Sequence, residues 1–165
     1  MTGIVRELVG PGQESVWDYP RPAIAQPSDR RIRIEHRGTV IADTRVAVRT
    51  IETSHPPTYY IPPGDILMDA LRPSARRSLC EWKGQATYFD LVAGGETIRD
   101  VAWSYRRPTP AFASIAGHLA FYAEKLDGCF LDGERITLQP GGFYGGWITA
   151  DLAGPFKGVP GSRFW

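Results

Sequence analysis

Three short glycine-bearing breaks, Arg37-Gly38, Gly94-Gly95 and Asp132-Gly133, each stand between two runs of alternating side chains. A two-residue break of this kind calls for backbone at positive φ, which glycine adopts without steric penalty, and it turns a strand directly back on itself. Antiparallel hairpins are therefore what this chain is patterned to form. "RIRIEH" puts Ile32 and Ile34 on one face before the first break, and "TVIADTRVAVRTIET" supplies strand residues after it. "ATYFDLVAGGETIRDVAWSY" folds about the second break and "CFLDGERITL" about the third.

Around these hairpins the pattern loosens. Residues 1–30 are rich in proline and glycine without a sustained period, so they read as an extended arm, with Val16, Trp17 and Tyr19 apolar enough to dock it. Asp65 stands where a short helix through Ile66, Leu67 and Leu71 would begin. One long helix is expected over "TPAFASIAGHLAFYAEKLDG": Thr109 is a good N-cap, Pro110 suits the first helical position, and Gly128 can end the helix. Phe112, Ile115, Ala116, Leu119, Tyr122 and Leu126 recur between them at helical spacing. Residues 141–165 are dominated by glycine, proline and aromatics, and only Trp147-Ile148-Thr149 reads as strand. The expected organisation is an arm (1–30), a core domain (31–140) and a Gly/aromatic tail (141–165) packed on the core or on a partner.

At 165 residues the chain is long enough for one self-sufficient core. Nineteen basic against eighteen acidic residues leave a formal charge of +1, so no global field gathers nucleic acid or an acidic membrane. The most apolar window, residues 114–123, is interrupted by His118, and neither a signal peptide nor a membrane span is expected. Two widely separated cysteines, Cys80 and Cys129, suit a reducing compartment, and the cytoplasm is the expected location.

Six strings, "ESVWDYPRP", "PPTYYIPPGDI", "CEWKGQATY", "DVAWSYRRPTP", "IAGHLAFY" and "GPFKGVPG", together make the chain resemble the family catalogued as domain of unknown function 427, in a long form spanning residues 14–165. The resemblance implies a β-tent architecture, shared with methionine sulfoxide reductase B and the Mss4-like proteins, in which two small antiparallel sheets are pinned at an angle. A nucleotidyltransferase-like label also attached to the family finds no motif here: Gly94-Gly95 is followed only by Glu96 and Asp100, without the paired aspartates that hold magnesium against a triphosphate. The paired Cys-x-x-Cys knuckles of zinc-binding β-tent relatives are missing as well. His36, His55 and His118 are scattered, so the sequence predicts no metal site and no cofactor.

The densest chemistry lies in "SLCEWKGQATYFDL", residues 78–91. Read as one strand, it sets Trp82, Gly84, Ala86 and Tyr88 on one face, two large rings flanking two small residues, and so leaves a gap. Trp103 and Tyr105 on the returning arm furnish a facing wall, and Tyr59 or Tyr60 a lid. The other face carries Lys83, Gln85, Thr87 and Phe89, either a solvated polar row or, with Lys83 as an anion clamp or proton donor, part of a site. Cys80 shares a face with neither Lys83 nor any evident activator and reads as a buried, inert thiol. His118 reads as a packed histidine with one hydrogen bond. "GPFKGVPG" lacks the Gly-Lys-Ser/Thr order of a phosphate loop despite Lys157, and the arginine groups Arg72/Arg76/Arg77 and Arg106/Arg107 read as surface.

The sequence thus predicts a mainly β (α+β) protein, a β-tent-like pair of small antiparallel sheets with one substantial helix. Its leading function is a pocket for a small organic or peptide ligand, lined by Tyr60, Trp82, Lys83, Tyr88, Trp103 and Tyr105. An enzyme acting on a nucleotide or other phosphorylated substrate in the same pocket is the alternative. A structural protein that forms a homodimer through its tail is another.

Overall fold

In the computed structural model, which describes residues 3–165, each of the three breaks is a turn with both residues at positive φ. The angles are 51° and 74° at Arg37-Gly38, 58° and 78° at Gly94-Gly95, and 49° and 82° at Asp132-Gly133. These are the signs of the mirror-image turn whose twist matches that of the flanking strands. The strands, in chain order, are β1 (Glu14–Ser15), β2 (Ile24–Ser28), β3 (Ile32–His36), β4 (Thr39–Thr44), β5 (Ala47–Ile51), β6 (Thr58–Tyr60), β7 (Leu71–Cys80) and β8 (Gly84–Ala93). They continue with β9 (Glu96–Ser104), β10 (Leu119–Phe121), β11 (Gly128–Leu131), β12 (Glu134–Arg135), β13 (Thr137–Leu138), β14 (Trp147–Ile148) and β15 (Leu152–Ala153).

The protein is mainly β. Two four-stranded antiparallel sheets, ordered β12-β11-β3-β4 and β10-β9-β8-β7, carry most of the chain. A three-stranded sheet, β2-β5-β6, stands beside them, joined to the second by an Ile61 to Leu119 bridge. The two four-stranded sheets enclose the principal core, in which Ile32, Ile34, Leu91, Val101, Phe121 and Leu131 are buried. Strand β8 feeds two cores from its two faces. Phe89 and Leu91 enter the principal one, whereas Ala86 and Tyr88 enter a second that also holds Val48, Tyr60, Trp103, Tyr105, Phe112 and Ile115. With alternate side chains pointing to opposite faces, a strand buried on both sides shows a nearly continuous apolar run, as "YFDLV" does.

The expected long helix does not form. Among the described residues the longest helical segment is the 3-10 turn Pro110–Ile115, bent at Phe112. The chain then passes through Gly117 at φ 70° and enters β10, which pairs with β9. The apolar residues at helical spacing are instead divided between two structures. Phe112 and Ile115 project from the 3-10 turn, and Leu119, Ala120 and Phe121 are buried on both faces of a short inner strand. Pairing with β9 and burial of three consecutive side chains outweigh the modest intrinsic preference for helix. The shorter helix expected after Asp65 is likewise two 3-10 turns, Pro63–Asp65 and Met68–Ala70, with Leu71 opening β7. Asp65 instead accepts a hydrogen bond from the Thr44 hydroxyl at 2.7 Å.

Within the first thirty residues, β2 pairs with β5 along five residues, and β1 pairs in parallel with β15 of the tail. Val16 and Tyr19 are buried with Ile51 and Leu152. Trp17 donates its indole N–H to the Pro155 carbonyl at 2.9 Å and packs edge-on against Trp165. Met1 and Thr2 of the expected arm lie outside the described residues. In the tail, the strand-like Trp147-Ile148 forms β14 opposite β13, and Trp147 is buried in the principal core. No helix among the described residues is long and apolar enough to cross a membrane.

Candidate functional site

Where the β2-β5-β6 sheet faces the β7-β8-β9 side of its neighbour, a cavity of about 380 Å³ opens to solvent. Its innermost wall is aromatic. Tyr88 and Trp103 are direct cross-strand partners on β8 and β9, so their rings stand side by side on one face. Tyr60 approaches from β6, where Trp103 donates its indole N–H to the Tyr60 hydroxyl at 3.3 Å and the two rings meet edge-on. Tyr122, one residue beyond β10, packs against Trp103 with ring centroids 4.4 Å apart. Tyr60, Trp103 and Tyr105 are only 1%, 6% and 7% exposed. Burial drives the phenols of Tyr60, Tyr105 and Tyr122 well above the ordinary tyrosine range, so each remains a neutral hydroxyl.

All six residues singled out from the sequence, Tyr60, Trp82, Lys83, Tyr88, Trp103 and Tyr105, border this one cavity. The reason differs from the parity argument. Residues 81–83 are the turn between β7 and β8, so Trp82 is not on the strand with Tyr88. Thr109 fixes that turn, donating its hydroxyl to the Trp82 carbonyl at 2.6 Å and its N–H to the Lys83 carbonyl at 3.0 Å. The small residues do not make the hollow. A Cβ on Gly84 would lie 3.6 Å from the Arg107 carbonyl oxygen, and Ala86 is buried in the second core. Tyr60 is a floor rather than a lid, and Tyr59 packs instead against Trp147 in the principal core.

The turn also changes the place of Cys80. Because the chain reverses just after it, Cys80 is half-buried and borders the cavity together with Lys83, rather than being sealed away. Cys129 is the buried thiol, and burial pushes it up to about 12. Gln85 and Thr87 of the expected polar row do not reach the cavity. His118 is neither packed beneath a sheet nor on a helix, and its ring meets the Ala116 carbonyl at 3.2 Å.

Several bordering residues had no local signal in the sequence. His55 and Gln139 lie 84 positions apart, yet Gln139 donates an amide N–H to His55 Nδ1 at 3.0 Å. The same amide donates to the Lys157 carbonyl and its oxygen accepts from the Gly146 N–H, which fixes its orientation. His55 must therefore accept at Nδ1 in its neutral form. Burial, reinforced by Lys157, Arg21 and Lys83, lowers its pKa to about 4. Tyr144 packs edge-on against His55, and Phe143 beside it is 74% exposed. Gly145, at φ 78°, lies so close to Trp103 that a Cβ there would come within 2.9 Å of the indole. The rejected "GPFKGVPG" thus contributes Lys157 after all, and the Arg72/Arg76/Arg77 group contributes Arg76, whose guanidinium stacks 4.4 Å from the Tyr88 ring centre. Only tertiary structure unites these positions. Among the described residues no set of three His, Cys, Asp or Glu side chains is arranged to hold a metal ion.

A family model described as domain of unknown function (DUF427) matches residues 24–132, well over half of the chain. The chain belongs to that family. No curated protein matches it.

Proposed function

We propose that this member of the DUF427 family binds a small organic ligand in the aromatic cavity. The observation that carries the reading is the convergence of five rings, from Tyr60, Tyr88, Trp103, Tyr105 and Tyr122, on one opening that also has hydroxyl, amide and charged groups on its border. A concave aromatic wall with a few polar groups is the usual build of small-molecule sites, and the volume falls at the lower end of their range of roughly 300–1,000 Å³. Stacking on such rings contributes about 0.5–1.5 kcal/mol per contact beyond area burial. The buried, neutral phenols would orient a ligand by hydrogen bonding without a charge of their own. The unpaired Cys80 and Cys129 agree with a reducing, cytoplasmic setting for this activity.

The test is a ligand panel read by tryptophan emission, since Trp82 and Trp103 both border the cavity. Ligands that shift emission should lose that effect after Cys80 is alkylated with N-ethylmaleimide, which adds bulk inside the opening, and in Thr58→Trp, which fills it from β6. Near-UV circular dichroism checks that both proteins keep their packing. If no ligand in a broad panel responds, or if responses survive both blocks, the reading fails.

A further inference from the structure

Gln139 is only 5% exposed, and its amide is oriented by two backbone groups that each have a single possible role. The Gly146 N–H can only donate and meets the amide oxygen at 3.1 Å, while the Lys157 carbonyl can only accept and meets the amide nitrogen at 3.0 Å. Turning the amide over would break both bonds in a buried place. Its remaining N–H therefore lies on His55 Nδ1, 3.0 Å away, and Nδ1 has to be the acceptor. In a neutral imidazole the proton then resides on Nε2. Burial keeps the ring in that neutral form.

Nε2 has no hydrogen-bond partner among the described residues, and it is not one of the polar atoms that the fold seals in without one. His55 borders the cavity, so this N–H is a donor held ready at its edge. Neighbouring hydroxyls are turned on each other or on the wall: Ser78 and Tyr88 meet at 2.7 Å, and Tyr60 receives the Trp103 indole N–H. The aromatic wall is close by. Gly146, held by Gln139, adjoins Gly145, where a Cβ would come within 2.9 Å of Trp103 and 3.2 Å of Tyr122.

The charges on the border leave nothing over. Glu52 faces Arg21 at 3.5 Å, and Arg76 faces Asp100 at 3.9 Å. Lys157 Nζ is met at 3.2 Å by the Trp165 oxygen, which belongs to the last residue's carboxylate. Lys83 and Glu81 remain, and they balance. A ligand of either sign would bring an unmatched charge into a partly desolvated opening, and an ammonium would also set donor against donor at Nε2. A neutral acceptor does neither.

We propose that the ligand is a neutral aromatic molecule carrying a carbonyl group, with its ring against Trp103 and Tyr122 and its carbonyl oxygen accepting the Nε2 proton of His55. This rests on the reading of the cavity as a ligand site and names the chemical class it takes. A donor whose tautomer is fixed by Gln139 reads one feature, an oxygen lone pair. A ligand without an acceptor would strip water from that N–H and leave it unpaired, a loss that ring stacking has to offset.

The experiment titrates benzylacetone and hydrocinnamamide into the full chain, beside butylbenzene, hydrocinnamate and phenylpropylamine, which keep the ring and exchange the carbonyl group for a hydrocarbon, a carboxylate or an ammonium. At least one carbonyl compound should bind about fivefold tighter than butylbenzene, as expected for one neutral hydrogen bond. In His55→Leu that advantage should vanish while butylbenzene binds as before, and melting curves check folding. Nitrogen NMR of labelled histidine provides a second measurement on the unaltered protein. His55 should carry its proton on Nε2, and saturation with the carbonyl compound should shift that nitrogen where butylbenzene does not. A proton on Nδ1, an Nε2 signal unmoved at saturation, or equal affinity for the carbonyl compounds and butylbenzene overturns the carbonyl assignment and leaves the cavity reading intact. Tighter binding of the acid or the amine overturns the neutral class. Failure of every compound overturns the assignment, and the cavity reading falls with it only if the broad tryptophan-emission panel is silent too.

Discussion

Acidification gives the most searching test of how the tail is held over the cavity. His55 accepts a hydrogen bond from Gln139, the same residue that holds the Gly146 N–H and the Lys157 carbonyl of the tail. A proton on Nδ1 would set one donor against another, in a place already warmed by Lys157, Arg21 and Lys83. The folded protein holds its pKa at about 4, against about 6.5 for a free histidine. Between those values the unfolded chain binds the extra proton and the folded one does not, so stability from this group is complete above about pH 6.5 and declines as pH falls toward 4. At about 1.4 kcal/mol per pH unit the full loss is about 3 kcal/mol, of which about 2 kcal/mol is felt by pH 5. Urea unfolding at pH 7.5, 6 and 5, followed by tryptophan fluorescence, should show the native protein losing about 2 kcal/mol more than His55→Gln over this interval. His36, His118 and the carboxylates are common to both proteins and cancel in the difference. A differential below about 0.5 kcal/mol, or an imidazole of His55 that titrates near its free value by NMR, would refute the reasoning.

Two further outcomes can be checked without a ligand. Gly158 has φ 120°, and a Cβ there would fall 1.8 Å from the Pro140 carbonyl oxygen, so Gly158→Ala should cost about 3 kcal/mol or more by chemical denaturation. Gly64→Ala, with open space around the added atom, serves as its control, and equal stability of the two variants would contradict the structure. A thiol reagent such as DTNB should titrate Cys80 in the native protein and Cys129 only after unfolding. Cys80 is half-buried at the cavity, whereas Cys129 is enclosed and its thiol is pushed up to about 12. Equal rates at both would show that the burial is wrong.

The three hairpin turns were legible because their information is local: glycine follows arginine, glycine or aspartate where two residues must take positive φ. That Tyr88 and Trp103 lie close was legible for a related reason, since a hairpin aligns its own side chains, but as cross-strand partners they stand side by side on one face and not as facing walls. The helix over residues 109–128 was misread because apolar residues at helical spacing are also what a 3-10 turn and a buried inner strand present in succession. Gly117, inside the stretch expected to be helical, is the bend that separates them. Trp82 borders the cavity from a turn and not by strand parity, because the chain reverses at residues 81–83 before β8 begins.

What the sequence determined by itself is a mainly β chain of short antiparallel strands with an aromatic concentration on one hairpin, because turn chemistry and alternation act over a few residues. What only the tertiary structure decided is which distant groups complete the opening. His55, Gln139 and Lys157 meet through hydrogen bonds spanning 84 and 18 positions, and Lys157 shares the border with Lys83. No periodicity records such meetings, since they depend on how sheets and tail pack to bury Tyr60, Trp103 and Trp147, and that is a property of the whole chain at once.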